Sequence, residues 1–241
     1  YRITHILTVG FMANNILPAR LGDAVRVHML HRKTDLGHAT TTGGLIADKI
    51  LEGISFLFLT PFLFFLIEVP SWMNYGIIAM LVGIIGIYVL TLVYSRTEIR
   101  RWAFLAKLQE GLAPLHNRRV FVAGFCISLV SWVLQLTMIH FTQLAFGVEL
   151  PFWNALLVLV AVNLAVIVPS APAHLGTFEL ACVLSYTFLG VDKNVGLLIG
   201  AAYHLVQVLP VTVIGAVMLL VEQVHPWRAA ETADPDEACY R

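Results

Sequence analysis

"NNILPARLGDAVR", residues 14–26, places Pro18, Arg20, Gly22, Asp23 and Arg26 at the end of an apolar run that begins at Ile3. A helix does not pass through proline and glycine four residues apart without disturbance, because proline removes a backbone donor and glycine admits left-handed backbone. Pro18-Ala-Arg-Leu-Gly22 is echoed at four of five positions by Pro172-Ala-His-Leu-Gly176, inside "PSAPAHLGTFE", residues 169–179. Both strings fall where hydrophobicity breaks. Paired Pro/Gly interruptions in the two halves of a bundle point to a binding site made by discontinuous helices. The freed N–H and C=O groups must face protein or a wet cavity, and a half-helix starting after Gly22 or Gly176 aims its positive end into that cavity.

The chain around these breaks is lipid-soluble. Of its 241 residues 59% are hydrophobic and 12% charged, and the mean hydropathy is +0.81; a soluble domain carries about twice that charged share. Long apolar spans cover 39–67, 75–95, 119–146 and 195–221, interrupted only by Asp48, Lys49 and Glu52. Each is long enough to cross as a helix, and none alternates as a barrel strand does. The runs 3–17, 152–168 and 177–189 are shorter. The fold class is therefore all-α: a polytopic transmembrane helix bundle with two broken or re-entrant elements. Three crossings separate the breaks, so the two enter from opposite sides, in inverted-repeat order.

Arg96, Arg100, Arg101, Lys107, Arg118 and Arg119 crowd segment 96–119, whereas the turns near Glu68 and Glu149 carry no Lys or Arg. The positive-inside rule makes the basic side cytoplasmic. Arg26, Arg32 and Lys33 then fall on that same side. Segment 96–115, with Trp102, Phe104 and Leu105 among its basic residues, reads as an interfacial helix. Residues 1–222 form one transmembrane domain, expected to lack N-terminal helices. Residues 223–241 are a small, acidic, disordered tail on the cytoplasmic side of the cell membrane. Fifteen basic and fifteen acidic residues balance, which gives no reason to expect a nucleic-acid partner. Cys126, Cys182 and Cys239 lie far apart; the first two read as helix packing, and neither disulfide nor metal is expected.

Intramembrane ionisable groups are the candidate site residues. Asp48 and Glu52 share a helix face and Lys49 reaches Glu52 at i,i+3. Lys49 and Glu52 either pair with the arginines and gate or neutralise the cavity, or form an interfacial ion pair that snorkels to the headgroups. Glu179, in the first turn after Gly176, caps that helix or answers an arginine. Asp23 belongs with these charge-balancing groups. His204–Gln207 and His140–Gln143 have i,i+3 spacing; the second pair reads as structural. Asn14, Asn15 and Asn163 are placed to satisfy backbone groups at the breaks, alongside Pro18, Gly22, Pro172 and Gly176. No GxSxG, HExxH or P-loop pattern occurs, no catalytic residue or cofactor is expected, and His28 and His31 lack the carboxylates of a metal site.

Asn14-Asn15-x-x-Pro18-x-Arg20-x-Gly22-Asp23-x-x-Arg26 resembles the signature of the lysylphosphatidylglycerol synthase transmembrane region, a flippase-like integral membrane family. Pro169-x-x-Pro172-x-x-x-Gly176-x-x-Glu179 is similar to its later element, and the likeness runs from Thr4 to about Val221. Three departures stand out: Lys49 and Glu52 replace an arginine and an aspartate, Ala173 and His174 replace glycines, and His204 falls where an arginine is common. The resemblance implies movement of a phosphate-bearing lipid, anionic or polyprenyl-phosphate, across the cytoplasmic membrane. Arg20, Arg26 and Lys49 would hold the phosphate, and Asp23, Asp48, Glu52, Glu179 and His204 would gate or balance it. It also allows a lipid-modifying enzyme as partner. The alternatives are an enzyme, or enzyme partner, acting on a lipid-linked sugar or aminoacyl lipid with Glu179 as base, and an ion-coupled anion transporter.

Overall fold

A computed structural model describes residues 2–17, 21–34, 36–67, 69–96, 107, 110–167 and 171–224. Among these the structure is helical, with no strand. Four helices are long: α3 (His38–Leu66), α4 (Ser71–Arg96), α5 (Arg118–Ala145) and α8 (Lys193–Val224), of 29, 26, 28 and 32 residues. At about 1.5 Å per residue each exceeds the roughly 30 Å hydrocarbon core. Among the described residues α3, α5 and α8 are long and apolar enough to cross a membrane, and the shorter apolar stretch Met73–Gly83 of α4 overlaps the start of the span expected over 75–95.

The other four are short. α1 (Arg2–Ile16), α2 (Gly22–Lys33), α6 (Asn154–Ile167) and α7 (Thr177–Phe188) have 15, 12, 14 and 12 residues, or roughly 18–22 Å each. None spans alone, and they stand as two pairs. α2 runs back along α1: Asn14 meets Asp23, and the stem of Arg26 lies over Gly10. α7 runs back along α6. Gln143 at the end of α5 holds both Leu150, just before α6, and Tyr186, near the end of α7, so that pair begins and ends on one side.

Burial follows the sequence. α6 is apolar apart from Asn154 and Asn163, and Ala155–Val162 is buried without a gap, which makes α6 the centre of the core. α5 and α8 turn apolar side chains outward, among them Ile127, Leu134, Phe141, Leu205, Leu209 and Leu220. Cys126 is exposed on that outer face, which corrects its expected packing role; Cys182 is buried. α5 holds α3 through Trp132, whose ring N–H points at Glu52 O (3.2 Å) and Ser55 Oγ (3.3 Å). A 3-10 turn at Ala113–His116 follows Gly111, which lies against Thr40 and Gly44 near the start of α3. Most of the expected interfacial segment, the tail from 225 with Cys239, and both Pro18 and Arg20 lie outside the described residues.

Candidate functional site

The first break is organised by two adjacent asparagines that look in different directions. Asn14 donates to Asp23 Oδ1 at 3.2 Å, tying α1 to α2. Asn15 donates to Thr212 Oγ1 at 3.0 Å and Val208 O at 3.4 Å, tying α1 to α8. Gly22 opens α2 as expected, but its job is close approach: a Cβ there would collide with Gly10 O and the Asn14 backbone. It is not among the residues of positive φ. Arg26 is buried at 9% exposure. Its Nη2 reaches Asp48 Oδ2 at 3.3 Å, its Nη1 stands 3.6 Å from Asp23 Oδ1, and its guanidinium lies 5.3 Å from the centre of the Phe11 ring. Neither Nη1 nor the nearby Asn14 Oδ1 has a hydrogen-bond partner, although both atoms are buried.

In the second break the backbone itself is unusual. Ala173 (φ 53°) and His174 (φ 59°) are consecutive left-handed residues, followed by Gly176 at φ 88°. That conformation is disfavoured for any residue with a Cβ, which gives a physical reason for the glycines expected at 173 and 174. Pro172 opens the 3-10 turn Pro172–His174. Glu179 Oε2 accepts the Gly176 N–H at 2.7 Å and so caps α7, while its Oε1 lies 2.6 Å from His204 Nδ1 on α8. His204 Nε2 is 2.8 Å from the Ala173 carbonyl oxygen. The imidazole is stacked on Phe178, with centroids 4.2 Å apart and planes 13° from parallel.

α8 is the spine that relates the two. Against it the chain places Tyr186 at Gly196, Cys182 at Gly200, Glu179 at His204, Asn15 at Val208 and Thr212, Met12 at Gly215 and His5 at Met218. The α6–α7 pair thus comes in from the start of α8 and the α1–α2 pair from its end. They meet near the middle, where α1 lies against the Pro172–His174 turn. This is the opposed arrangement read from the crossing count. The two charged clusters do not merge: Arg26, level with Gly215, and His204 are separated by roughly 16 Å of α8 at 1.5 Å per residue.

The polar side chains divide between the alternatives open to them in sequence. Lys49 and Glu52 pair with each other at 2.9 Å and are over a third exposed, and Asp48 is the residue that answers Arg26. Glu179 performs its capping role but meets a histidine where an arginine was expected. Asn163 donates to Leu159 O of its own helix, not to the break. Gln143 contacts His140 Nδ1 and donates to Leu150 O, a structural arrangement. Phe178, Thr212 and Trp132 were not singled out from sequence. The Gly196-x-x-x-Gly200 spacing that seats α7 on α8 was present as a signal, since small residues four apart admit a neighbouring helix.

The family model for the lysylphosphatidylglycerol synthase TM region matches residues 1–215, and the chain belongs to that family. It is similar to a UPF0104 membrane protein of Methanocaldococcus jannaschii, 23% identical over 218 residues that cover 86% of this chain and 93% of the relative. Two UPF0104 membrane proteins of Methanothermobacter thermautotrophicus are 24% and 23% identical over 225 and 257 residues, covering 79% and 90% of this chain and 66% and 72% of the relatives. No solved structure matches.

Proposed function

We propose that this member of the family binds the phosphate of a polar membrane lipid at Arg26, on the first of its two opposed helix pairs, and carries the headgroup from one leaflet to the other. The observation that carries this reading is the meeting of two half-length helix pairs, from opposite ends, at the middle of α8. Irregular backbone at membrane depth is tolerated where it lines a cavity, and transporters place substrate between such elements. Arg26 is the receiving group. Its Nη1 is a buried donor without an acceptor, and a guanidinium fork suits phosphate. Arg26, Asp23 and Asp48 together carry a net charge of −1, so phosphate enters by exchange. It displaces Asp48, whose side chain is 46% exposed, while Arg20 joins on sequence grounds alone. Lys49, next to Asp48 on α3, forms a neutral pair with Glu52.

The enzyme alternative asks Glu179 to act as a base, yet both of its oxygens are engaged, by Gly176 N–H and by His204. The test uses vesicles containing the protein and a headgroup-labelled phosphatidylglycerol, with a membrane-impermeant quencher reporting leaflet exchange. Exchange should depend on the protein and fall at least tenfold in Arg20→Ala/Arg26→Ala, while mass spectrometry finds the lipid chemically unchanged. Full exchange in that double variant overturns the assignment, and a chemically altered lipid favours the enzyme reading.

A further inference from the structure

We propose that Glu179 and His204 form a proton-binding site whose occupancy latches the 171–176 turn, so that proton uptake and release drives the second helix pair. The inference rests on the translocation reading only for what the movement accomplishes. The latch itself follows from donor and acceptor counting.

His204 faces an oxygen acceptor at each ring nitrogen: Glu179 Oε1 at 2.6 Å from Nδ1, and the Ala173 carbonyl at 2.8 Å from Nε2. A neutral imidazole has one N–H and an ionised carboxylate has none. Satisfying both contacts therefore requires one more proton than that pair supplies. Either an imidazolium donates to both oxygens, or a protonated Glu179 donates to Nδ1 while Nε2–H donates to Ala173. The proton count is the same, and the proton belongs to the pair and not to either residue. Removing that proton to water leaves one N–H for two acceptors. Then either the Nδ1 lone pair confronts the carboxylate, or the Nε2 lone pair confronts the Ala173 oxygen.

The members of the site are not equally anchored, although Thr177 Oγ1 also donates to His174 O of the turn at 3.0 Å. Glu179 is anchored through Oε2 to Gly176 N–H, and the ring is held by its stack on Phe178. The turn is the least secure member, because Ala173 and His174 both hold left-handed backbone, a conformation that persists only when its surroundings enforce it. Proton loss thus releases the turn, and proton binding closes it. The other groups nearby fit this assignment. α7 presents the thiol of Cys182 and the phenol of Tyr186, and α8 itself the phenol of Tyr203. The turn contributes His174, and α1 brings only the neutral amides of Asn14 and Asn15 in its last turn. On α5, His140 is occupied with Gln143 and Phe152. Arg26 of α2 is roughly 16 Å away along α8.

The test places a spin label at Leu175, an exposed position in the turn, in the full chain in lipid nanodiscs with Cys126 and Cys239 replaced by Ser. Label mobility is followed over about pH 4 to 10, a range spanning ordinary carboxylate and imidazole titration. The expected result is an ordered label at low pH and a mobile one at high pH, with a one-proton slope. Glu179→Gln can still accept from Gly176 and donate to Nδ1, so it should stay ordered throughout; His204→Gln should lose the titration. A label that does not titrate, or a Glu179→Gln variant that titrates like the parent, overturns the latch. Parallel vesicle measurements separate the two proposals. A titrating label with no lipid exchange refutes translocation and leaves the latch standing, whereas exchange without titration does the reverse.

Discussion

Gly22→Ala tests the first helix pair with a single methyl group. A Cβ at this position falls on the carbonyl oxygen of Gly10 and the backbone nitrogen of Asn14, and within 2.6 Å of Asn14 Oδ1. Non-bonded heavy atoms rest at about 3.5–4.0 Å. Alanine has no rotamer with which to escape, and two of the three obstacles are helix backbone. The pair must therefore part by about 1 Å at its crossing, on the same contact distances. The 3.2 Å bond from Asn14 to Asp23 is then stretched past useful length, and the Arg26 stem lifts from Gly10. Overpacking costs about 1–3 kcal/mol and the lost hydrogen bond about 0.5–1.5 kcal/mol. Alanine returns up to about 1 kcal/mol as the better helix former. The balance is a loss of about 0.5–4.5 kcal/mol on those terms. Gly44→Ala is the control, since nothing lies within 4 Å of its Cβ, and that variant should gain a few tenths to about 1 kcal/mol. Reversible unfolding in mixed micelles, followed by circular dichroism, measures both. A Gly22→Ala protein as stable as Gly44→Ala would refute the close-packed hairpin.

Two further outcomes follow from single contacts. Asp48→Asn weakens the competitor for Arg26 and should tighten binding of an anionic lipid by about tenfold, or 1.4 kcal/mol, while slowing its release; microscale thermophoresis with a short-chain phosphatidylglycerol reads the first and vesicle exchange the second. Gln143→Leu strips partners from Leu150 O and Tyr186 OH in a site with no solvent exposure. It should cost about 1–3 kcal/mol of stability, measured by the same unfolding assay, and leave lipid affinity unchanged.

The positions of the breaks were legible because the signals are local. Proline, glycine and a drop in hydrophobicity act on the few residues around them, and the half-helices begin at Gly22 and Thr177 as that reading requires. The parity of crossings was enough to oppose the two pairs. The partner of each polar side chain was not legible, because it depends on which face of one helix meets which face of another. Asp48 and Glu52 share a helix face and are equivalent in sequence as partners for an arginine, yet the rotation of α3 gives Asp48 to Arg26 and leaves Glu52 to Lys49. Gly22 and Gly176 occupy matching places in near-identical strings and still serve different needs: one lets two helices touch, the other turns the chain through positive φ with open space around it.

That difference bears on how such a molecule moves. The first pair is fastened on several sides: Asn15 to two groups on α8, Met12 against Gly215, Arg26 to Asp48 on α3, and Gly22 against α1. Separating it breaks ion pairs and close backbone packing together. In the second pair, α7 is seated firmly on α8 through Gly196 and Gly200, but its turn is held to α8 by the Ala173 contact of His204 while two residues remain in disfavoured backbone. On the translocation reading the two halves are therefore opposed in direction and unequal in strength. The 171–176 turn yields first, with the first pair as the fixed wall against which it opens. An arginine at 204, always charged and rich in donors, would hold the Ala173 carbonyl and Glu179 at any ordinary pH. On the latch proposal, histidine at 204 makes the same hold depend on a proton.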